Sequence, residues 1–314
     1  MKTVHAPKRI GKKFIFVFSF THRVMRKSAL TLLLTSLAAV TACNTEKGTQ
    51  NPPKSKWISE IIAYHPAPGQ FINTTQGNEE AAAGIIGGKR GCLSLGGFGG
   101  YVIFGFDHEV RNIDGTDFVI FGNAFDGSSE PGIVEVSPDG TTWYRLKGSD
   151  DAAPTPFTIT YTRPAQTETA EDVAWTDGNG NPGVLQTVPA HEQSYWPLFL
   201  SGSPAELTFS GYLLANNSSW NASTNRYVQA AYEWGYADNW SADYDAMAGN
   251  DSDTRGSNKF DLDNAVDNNG NPVTLTSVKQ IKVYSAMNQW VGAGVGETST
   301  EVCGALSLSA AIDD

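Results

Sequence analysis

The feature that most constrains the fold is the spacing of the apolar residues, which recur in strand-length runs from Trp57 onward. Residues 100–107 and 117–122 are two such runs. Short apolar runs bounded by turn residues are typical of β-strands, whereas a helix needs a longer pattern with a period of 3.6. The 32 glycines and 15 prolines supply the turns. The sequence therefore predicts an all-β fold, an antiparallel, jelly-roll-like β-sandwich with long aromatic and acidic loops.

The clearest local prediction is a β-hairpin. Its strands cover residues 133–137 and 143–146, and Pro138-Asp139-Gly140 lies between them. Proline presets the first torsion angle of such a turn, and glycine accepts a positive φ.

The strand-rich stretches lie at residues 57–162 and 273–310. Because they look like two halves of one sheet system, we expect residues 57–314 to form a single sandwich domain. The less regular segment at about 165–260 is then a loop-rich excursion. A separate middle domain is the alternative.

The amino terminus has the pattern of an export signal. Met25-Arg26-Lys27 precedes an apolar run at 29–40, which is too short to span a bilayer. The run ends in Val40-Thr41-Ala42-Cys43, which resembles a bacterial lipobox, where the cysteine is acylated and begins the mature chain. We interpret residues 1–42 as a signal peptide, with Met25 as an alternative start, and residues 43–56 as the lipidated Cys43 and its tether. An ordinary signal peptide that happens to contain a cysteine is the alternative.

The charge distribution argues against two classes of partner. Of the 22 Lys and Arg, eight lie before residue 43, where there is no Asp or Glu. The remaining chain has 14 basic and 33 acidic residues, a formal net charge of −19. A body this acidic repels nucleic-acid phosphates and anionic lipid surfaces, so membrane attachment is expected only through the lipid anchor.

Two cysteines remain after Cys43, and they are Cys92 and Cys303. They lie near the first and last predicted strands, which often lie side by side in a jelly roll. An exported chain folds in an oxidising compartment, so one disulfide is expected. Two separate buried thiols are the alternative.

Acidic residues are concentrated at 238–267, with eight aspartates in 30 residues. Hard cations prefer several oxygen ligands in a flexible loop, so this crowding indicates a structural calcium site. A second candidate is the loop at 123–130, which joins two predicted strands. A solvated acidic loop, or a loop shaped by Asx turns, is the alternative. The predicted ligands are Asn123, Asp126, Glu130, Asp251, Asp253, Asp261 and Asp263.

Tryptophan and tyrosine are concentrated at 195–244, next to amide and hydroxyl side chains. Flat rings with polar neighbours suit sugar rings or corrin-sized macrocycles. Packing of these rings against the sandwich is the alternative. The predicted ligand-binding residues are Trp196, Trp220, Tyr232, Trp234, Tyr236 and Trp240.

The sequence contains no recognisable catalytic motif. No H-E-x-x-H pair and no G-x-S-x-G elbow is present. Glycoside hydrolysis needs only a carboxylate pair, which spacing along the chain does not reveal.

Several segments together resemble a family of Bacteroidetes surface lipoproteins usually labelled "cell surface protein". The matching segments are 64–73 (YHPAPGQFIN), 94–103 (SLGGFGGYVI), 117–125 (DFVIFGNAF), 130–132 (EPG), 159–164 (ITYTRP), 260–263 (FDLD), 265–267 (AVD), 281–284 (IKVY) and 297–302 (ETSTEV). The hairpin at 134–146 also resembles part of discoidin-like and galactose-binding-like sandwiches.

The resemblance implies a lipoprotein of the outer membrane that faces the medium and captures nutrients or adheres. Some relatives look like companions of TonB-dependent uptake systems, including those for cobamides. We therefore expect a non-catalytic module that binds a glycan or cobamide-like ligand, and a TonB-dependent transporter as a partner. The alternatives are a secreted glycoside hydrolase that uses carboxylates, or a calcium-stabilised adhesion or scaffold protein.

The lipid anchor gives the first testable prediction. Cys43→Ser removes the acylated sulfur, so the variant is expected in the aqueous phase of a detergent phase separation, with the wild-type protein in the detergent phase. Ser55→Ala, in the tether, is the control and should not change the partitioning. A processed wild-type chain in the aqueous phase would contradict the anchor.

Overall fold

The computed structural model describes residues 54–89, 91–150, 155–242, 244, 254 and 256–312, in which the regular secondary structure is almost entirely β-strand. In chain order the strands are β1 (Glu60–His65), β2 (Leu93–Ser94), β3 (Tyr101–Arg111), β4 (Phe118–Phe121), β5 (Gly132–Ser137), β6 (Tyr144–Leu146), β7 (Thr155–Thr162), β8 (Val173–Asp177), β9 (Pro182–Leu185), β10 (Glu206–Leu213), β11 (Ser218–Asn221), β12 (Arg226–Gln229), β13 (Ser257–Phe260), β14 (Ala265–Val266), β15 (Ser277–Ser285), β16 (Glu301–Val302) and β17 (Gly304–Ser307).

Helical structure is limited to one short α-helix and two 3-10 turns within those residues. The helix α1 spans Glu79–Gly84, and the turns span Leu262–Asn264 and Ser309–Ile312. No helix in the described part of the chain has the length and apolar character to cross a membrane. Cys43 and the signal peptide lie outside the described residues.

Two antiparallel sheets enclose the main core. One has six strands in the order β1-β3-β15-β5-β6-β14, and the other has three in the order β13-β4-β17. Phe104 of β3 and Val134 of β5 pack in one cluster with Phe118 and Ile120 of β4. The other side of β4 is buried as well, against Cys303 and Leu306. The predicted all-β antiparallel fold is confirmed, and the jelly-roll connectivity stays a prediction.

The predicted hairpin is present as β5 and β6, in which Val136 lies opposite Tyr144. Asp139 shapes its turn, because one carboxylate oxygen accepts hydrogen bonds from the main-chain N–H groups of Thr141 and Thr142, at 2.7 and 2.6 Å. These bonds hold the pKa of Asp139 far below its ordinary value. Gly140 follows with φ +80°.

The segment predicted as a loop-rich excursion contains strands. A four-stranded sheet in the order β10-β7-β8-β9 and a separate hairpin of β11 and β12 lie largely within it. The sheet packs through Ile159, Tyr161 and Phe209 onto Phe98, which precedes β3. The strands β8, β9 and β11 leave half or more of their residues incompletely buried, so their apolar pattern is weak in the sequence.

A disulfide joins Cys92 and Cys303, the two cysteines paired from the sequence. The adjoining residues Leu93 and Val302 are opposite one another where β2 and β16 pair, and the two cysteine Cα atoms are 3.9 Å apart. The bond spans 211 residues. A loop of that length gives a stabilisation of about 5 kcal/mol in the loop-entropy model.

Candidate functional site

Three carboxylates from distant parts of the chain meet in one buried cluster. Glu130 follows the loop 123–129, Asp238 lies in the segment after β12, and Glu301 begins β16. One oxygen from each residue lies within 4.8 Å of the other two. Among the described residues, this is the only group of three Asp, Glu, His or Cys side chains close enough to share a metal ion. We call these three residues the acidic cluster.

Asp238 is held by main-chain donors from two other segments. Its Oδ1 accepts hydrogen bonds from the N–H groups of Asn123 and Ala124, both at 2.9 Å. Its Oδ2 accepts from the N–H of Glu301 at 3.0 Å. The residue is fully buried and has φ +52°, a conformation that non-glycine residues seldom adopt. Such strain persists only where the surroundings impose it, and it is concentrated at functional sites.

Glu130 and Glu301 lie close to one another in the cluster, and each side chain shifts the pKa of the other. Glu301 Oε1 also accepts a hydrogen bond from the hydroxyl of Ser299 at 2.9 Å. Glu301 Oε2 is buried and has no hydrogen-bond donor among the described residues. The cluster therefore has acceptor capacity that the surrounding protein leaves unused.

Burial is the main cause of the electrostatic strain in the cluster. Burial and, second, the neighbouring charge of Asp238 raise the pKa of Glu130 from 4.5 to about 8. The pKa values of Asp238 and Glu301 also lie well above their ordinary values, first through burial and then through neighbouring carboxylates. Several buried negative charges near one another are stable only when protons or a cation neutralise them. The acidic cluster can therefore hold a metal ion.

The structure distributes the predicted calcium ligands among several places. Glu130 belongs to the acidic cluster, whereas Asn123 contributes its main-chain N–H to Asp238, and Asp126 is exposed. Asp251 and Asp253 lie outside the described residues.

Asp261 and Asp263 have local structural roles. Asp261 caps the 3-10 turn that follows it by accepting a hydrogen bond from the N–H of Asp263 at 2.8 Å. Asp263 accepts one from the side-chain amide of Asn112, also at 2.8 Å. Both lie near Asp117, whose pKa rises to about 6 mainly because of burial. Within the described residues, neither aspartate belongs to a group of three side chains that could hold a metal ion, so the structure does not support them as calcium ligands.

The predicted aromatic residues differ widely in exposure. Trp196 and Tyr236 are buried in the core at 1% and 2% exposure, so a ligand does not reach them and the prediction is wrong for these two. Tyr232, Trp234 and Trp240 are half-buried. Trp220 is the only one of the six that is largely exposed, at 52%.

A groove of about 460 Å³ lies beside Trp220, and we call it the hairpin groove. Tyr227 lines it and packs edge-on against Trp220, with ring centroids 5.1 Å apart. Phe125, from the loop 123–129, lines it from another side and is 60% exposed. Polar side chains complete the lining, and they include Asp126, Asn221, Thr224, Arg226 and Gln229.

Side-chain amides fix the base of the β11–β12 hairpin. Asn217 donates to the carbonyl oxygens of Ser129 and Ala230 at 3.1 and 2.7 Å. Gln229 is buried and donates to the hydroxyl of Thr298 at 3.0 Å. These bonds help to attach the hairpin to the loop 123–130, which also donates to Asp238 and ends at Glu130. The acidic cluster and the hairpin groove are therefore supported by the same loop.

The sequence matches no protein-family model and no curated protein.

The acidic cluster predicts an unusual pH dependence of stability in the metal-free protein. The pKa of Glu130 is higher in the folded state, about 8, than its ordinary 4.5, so the folded state binds its proton more tightly. The free energy of unfolding therefore decreases as the pH rises from about 4.5 to about 8. In excess chelator we expect the melting temperature to fall by about 5 °C across this range.

Glu130→Gln should reduce that fall, because it removes one titrating group from the cluster. Glu80→Gln, on the exposed face of α1, is the matched control and should behave like the wild-type protein. A melting temperature that stays constant or rises between pH 5 and pH 8 in chelator would show that ionisation of these carboxylates does not destabilise the folded protein.

Proposed function

We propose that the protein is a lipid-anchored surface protein of a bacterial outer membrane that binds a glycan-like nutrient in the hairpin groove without catalysing a reaction. The observation that carries the proposal is the exposure of Phe125 and Tyr227 in the lining of one polar groove, with the exposed ring of Trp220 packed edge-on against Tyr227. Three exposed aromatic rings cost solvation free energy unless a ligand covers them. Family resemblance and the Cys43 motif support the anchor and the surface location.

The chemistry of the groove suits a flat, hydroxyl-rich ligand. Aromatic rings pack against the apolar faces of sugar rings, and neighbouring polar groups bond to the hydroxyls. Arg226 supplies donors, Asp126 acceptors and Asn221 both. A volume of about 460 Å³ is typical of small-molecule sites, so a short glycan fits better than a whole cobamide.

The groove favours binding over hydrolysis. A glycosidase of the usual kind places two carboxylates on either side of the bond that it breaks. Asp126 is the only carboxylate among the described residues that line the groove. The three carboxylates of the acidic cluster are grouped around one point in the interior, which suits a structural role.

Calcium is the cation that we assign to the acidic cluster. Calcium prefers carboxylate and carbonyl oxygens in flexible loops, and extracellular modules bind it weakly enough to exchange with the medium. Here the cation neutralises carboxylates that tie the loop 123–130 to Asp238 and β16, and it stiffens one wall of the groove.

The proposed location on the outer membrane also indicates a partner protein. A lipoprotein on the outer surface delivers a captured nutrient to a channel in the same membrane. We assign a TonB-dependent transporter to this role on the basis of the family resemblance.

The ligand prediction is tested with a panel of glycans and cobamides, measured by isothermal titration calorimetry on the purified protein. Tyr227→Ala should weaken glycan binding by about ten-fold, because it removes an aromatic ring from the lining of the groove. Trp220→Ala should weaken it in the same direction, because the Trp220 ring packs against Tyr227. Leu198→Ala, another exposed apolar residue that does not line the groove, is the control and should bind normally. Full binding by a Trp220→Ala/Tyr227→Ala double variant would contradict the proposed site, and binding of cobamides alone would change the ligand class.

The calcium prediction is tested by thermal unfolding at neutral pH. Millimolar calcium should raise the melting temperature by about 3 °C or more over the value in chelator, because a ligand that binds only the folded state stabilises it. Glu301→Gln should abolish the increase, whereas Asp261→Asn, outside the cluster, should retain it. Identical melting curves with calcium and with chelator would contradict the assignment.

A further inference from the structure

A second cavity, of about 190 Å³, lies between the four-stranded sheet and the segment after β15. Its walls include Phe98, Tyr161, Trp175, Met287, Trp290 and Glu297. Neither the hairpin groove nor the acidic cluster contributes a residue to this lining. We call it the tryptophan cavity.

Glu297 is the only Asp, Glu, Lys, Arg or His among the described residues that line the tryptophan cavity. It is 5% exposed, and its Oε1 accepts a hydrogen bond from the main-chain N–H of Gln70 at 2.6 Å. Its Oε2 is buried and has no hydrogen-bond partner among the described residues. A buried, unsatisfied carboxylate oxygen is costly, and such an exception needs an explanation.

The strand-like pairing of the loop 289–298 brings Trp290 and Glu297 together. The two residues form an isolated antiparallel bridge, so their side chains project to the same side. The N–H of Val291 donates to the carbonyl oxygen of Gly296 at 2.9 Å and extends the pairing. The carboxylate is thus held beside an indole ring.

Trp175 supplies a second indole ring. It lies on β8 directly opposite Gly183 of β9. A β-carbon at position 183 would overlap the Trp175 ring, so glycine allows the ring to lie flat across the strand. The position of this wall is therefore fixed by the sheet.

We propose that the tryptophan cavity binds a small organic cation, a substituted ammonium group whose charge pairs with Glu297 and whose carbon atoms contact the indole rings. Aromatic faces attract cations, and the attraction is strongest where water is excluded. A carboxylate without a protein cation in the same enclosure supplies the opposite charge. The acidic body of the protein also raises the local concentration of cations.

The protonation of Glu297 is consistent with this proposal. Burial raises its pKa from 4.5 to about 8, and the charge of Glu301 contributes in the same direction. A bound cation would replace the proton and allow the carboxylate to ionise without an unpaired buried charge.

The test uses choline and tetramethylammonium as cations, and 3,3-dimethyl-1-butanol as the neutral analogue of choline with the same shape. Binding to the purified protein is measured by calorimetry and by the change in tryptophan fluorescence. Choline should bind saturably and at least about ten-fold more tightly than the neutral analogue, because only the cation pairs with the carboxylate. Absence of saturable binding by either cation, or equal binding by the neutral analogue, would overturn the proposal.

Two variants test whether choline binds in the tryptophan cavity. Glu297→Gln keeps the size of the side chain and should bring choline and its neutral analogue to within about three-fold of each other. Trp175→Ala, at the surface end of the cavity, should weaken choline binding about five-fold or more, and it serves if Glu297→Gln fails to fold. Glu192→Gln is an exposed control and should bind like the wild-type protein. Unchanged choline binding in Trp175→Ala would also overturn the proposal. Trp220→Ala should leave choline binding unchanged, and this result would distinguish the tryptophan cavity from the hairpin groove.

Discussion

The carboxylate of Asp238 is the interaction on which the candidate site depends. It accepts main-chain hydrogen bonds from Asn123, Ala124 and Glu301, which are more than 60 residues away from it in the chain on either side. The carbonyl oxygen of Asp238 in turn accepts a bond from the N–H of Glu130 at 3.0 Å. One buried residue therefore connects both ends of the loop 123–130 to β16. A neutral side chain of the same size would retain fewer and weaker bonds, since charge-assisted hydrogen bonds are the strong ones.

The contacts of Asp238 bring three carboxylates close together, and their mutual repulsion is unfavourable. The three N–H groups favour the ionised form of Asp238, but burial and the nearby Glu301 outweigh them and raise its pKa. The carboxylates of Asp238, Glu130 and Glu301 therefore cannot all be charged in this space. The protein must then bind protons or a cation there.

The loop 289–298 connects the two regions for which we propose ligands. Its tip contacts the hairpin groove, where Val295 contributes to the lining and the ring of Tyr227 packs against Gly292. Its base carries Trp290 and Glu297 into the tryptophan cavity. Gly292 and Gly296 both have φ +93°, which only glycine adopts readily, so the tight course of this loop is encoded locally.

The sequence by itself determined the all-β class and the β5–β6 hairpin, because apolar runs and Pro-Asp-Gly turns act over a few residues. It also indicated the pairing of Cys92 with Cys303, since terminal strands tend to be neighbours. The sequence also pointed to Glu130 and Trp220. It did not point to Glu301 or Glu297, because the residues around them do not have the spacing of a known metal-binding motif. Tertiary structure alone decided which carboxylates meet and which rings stay exposed, because these depend on contacts between segments far apart in the chain. Trp196 and Trp220 were both predicted to bind ligand, yet one is in the core and the other in solvent.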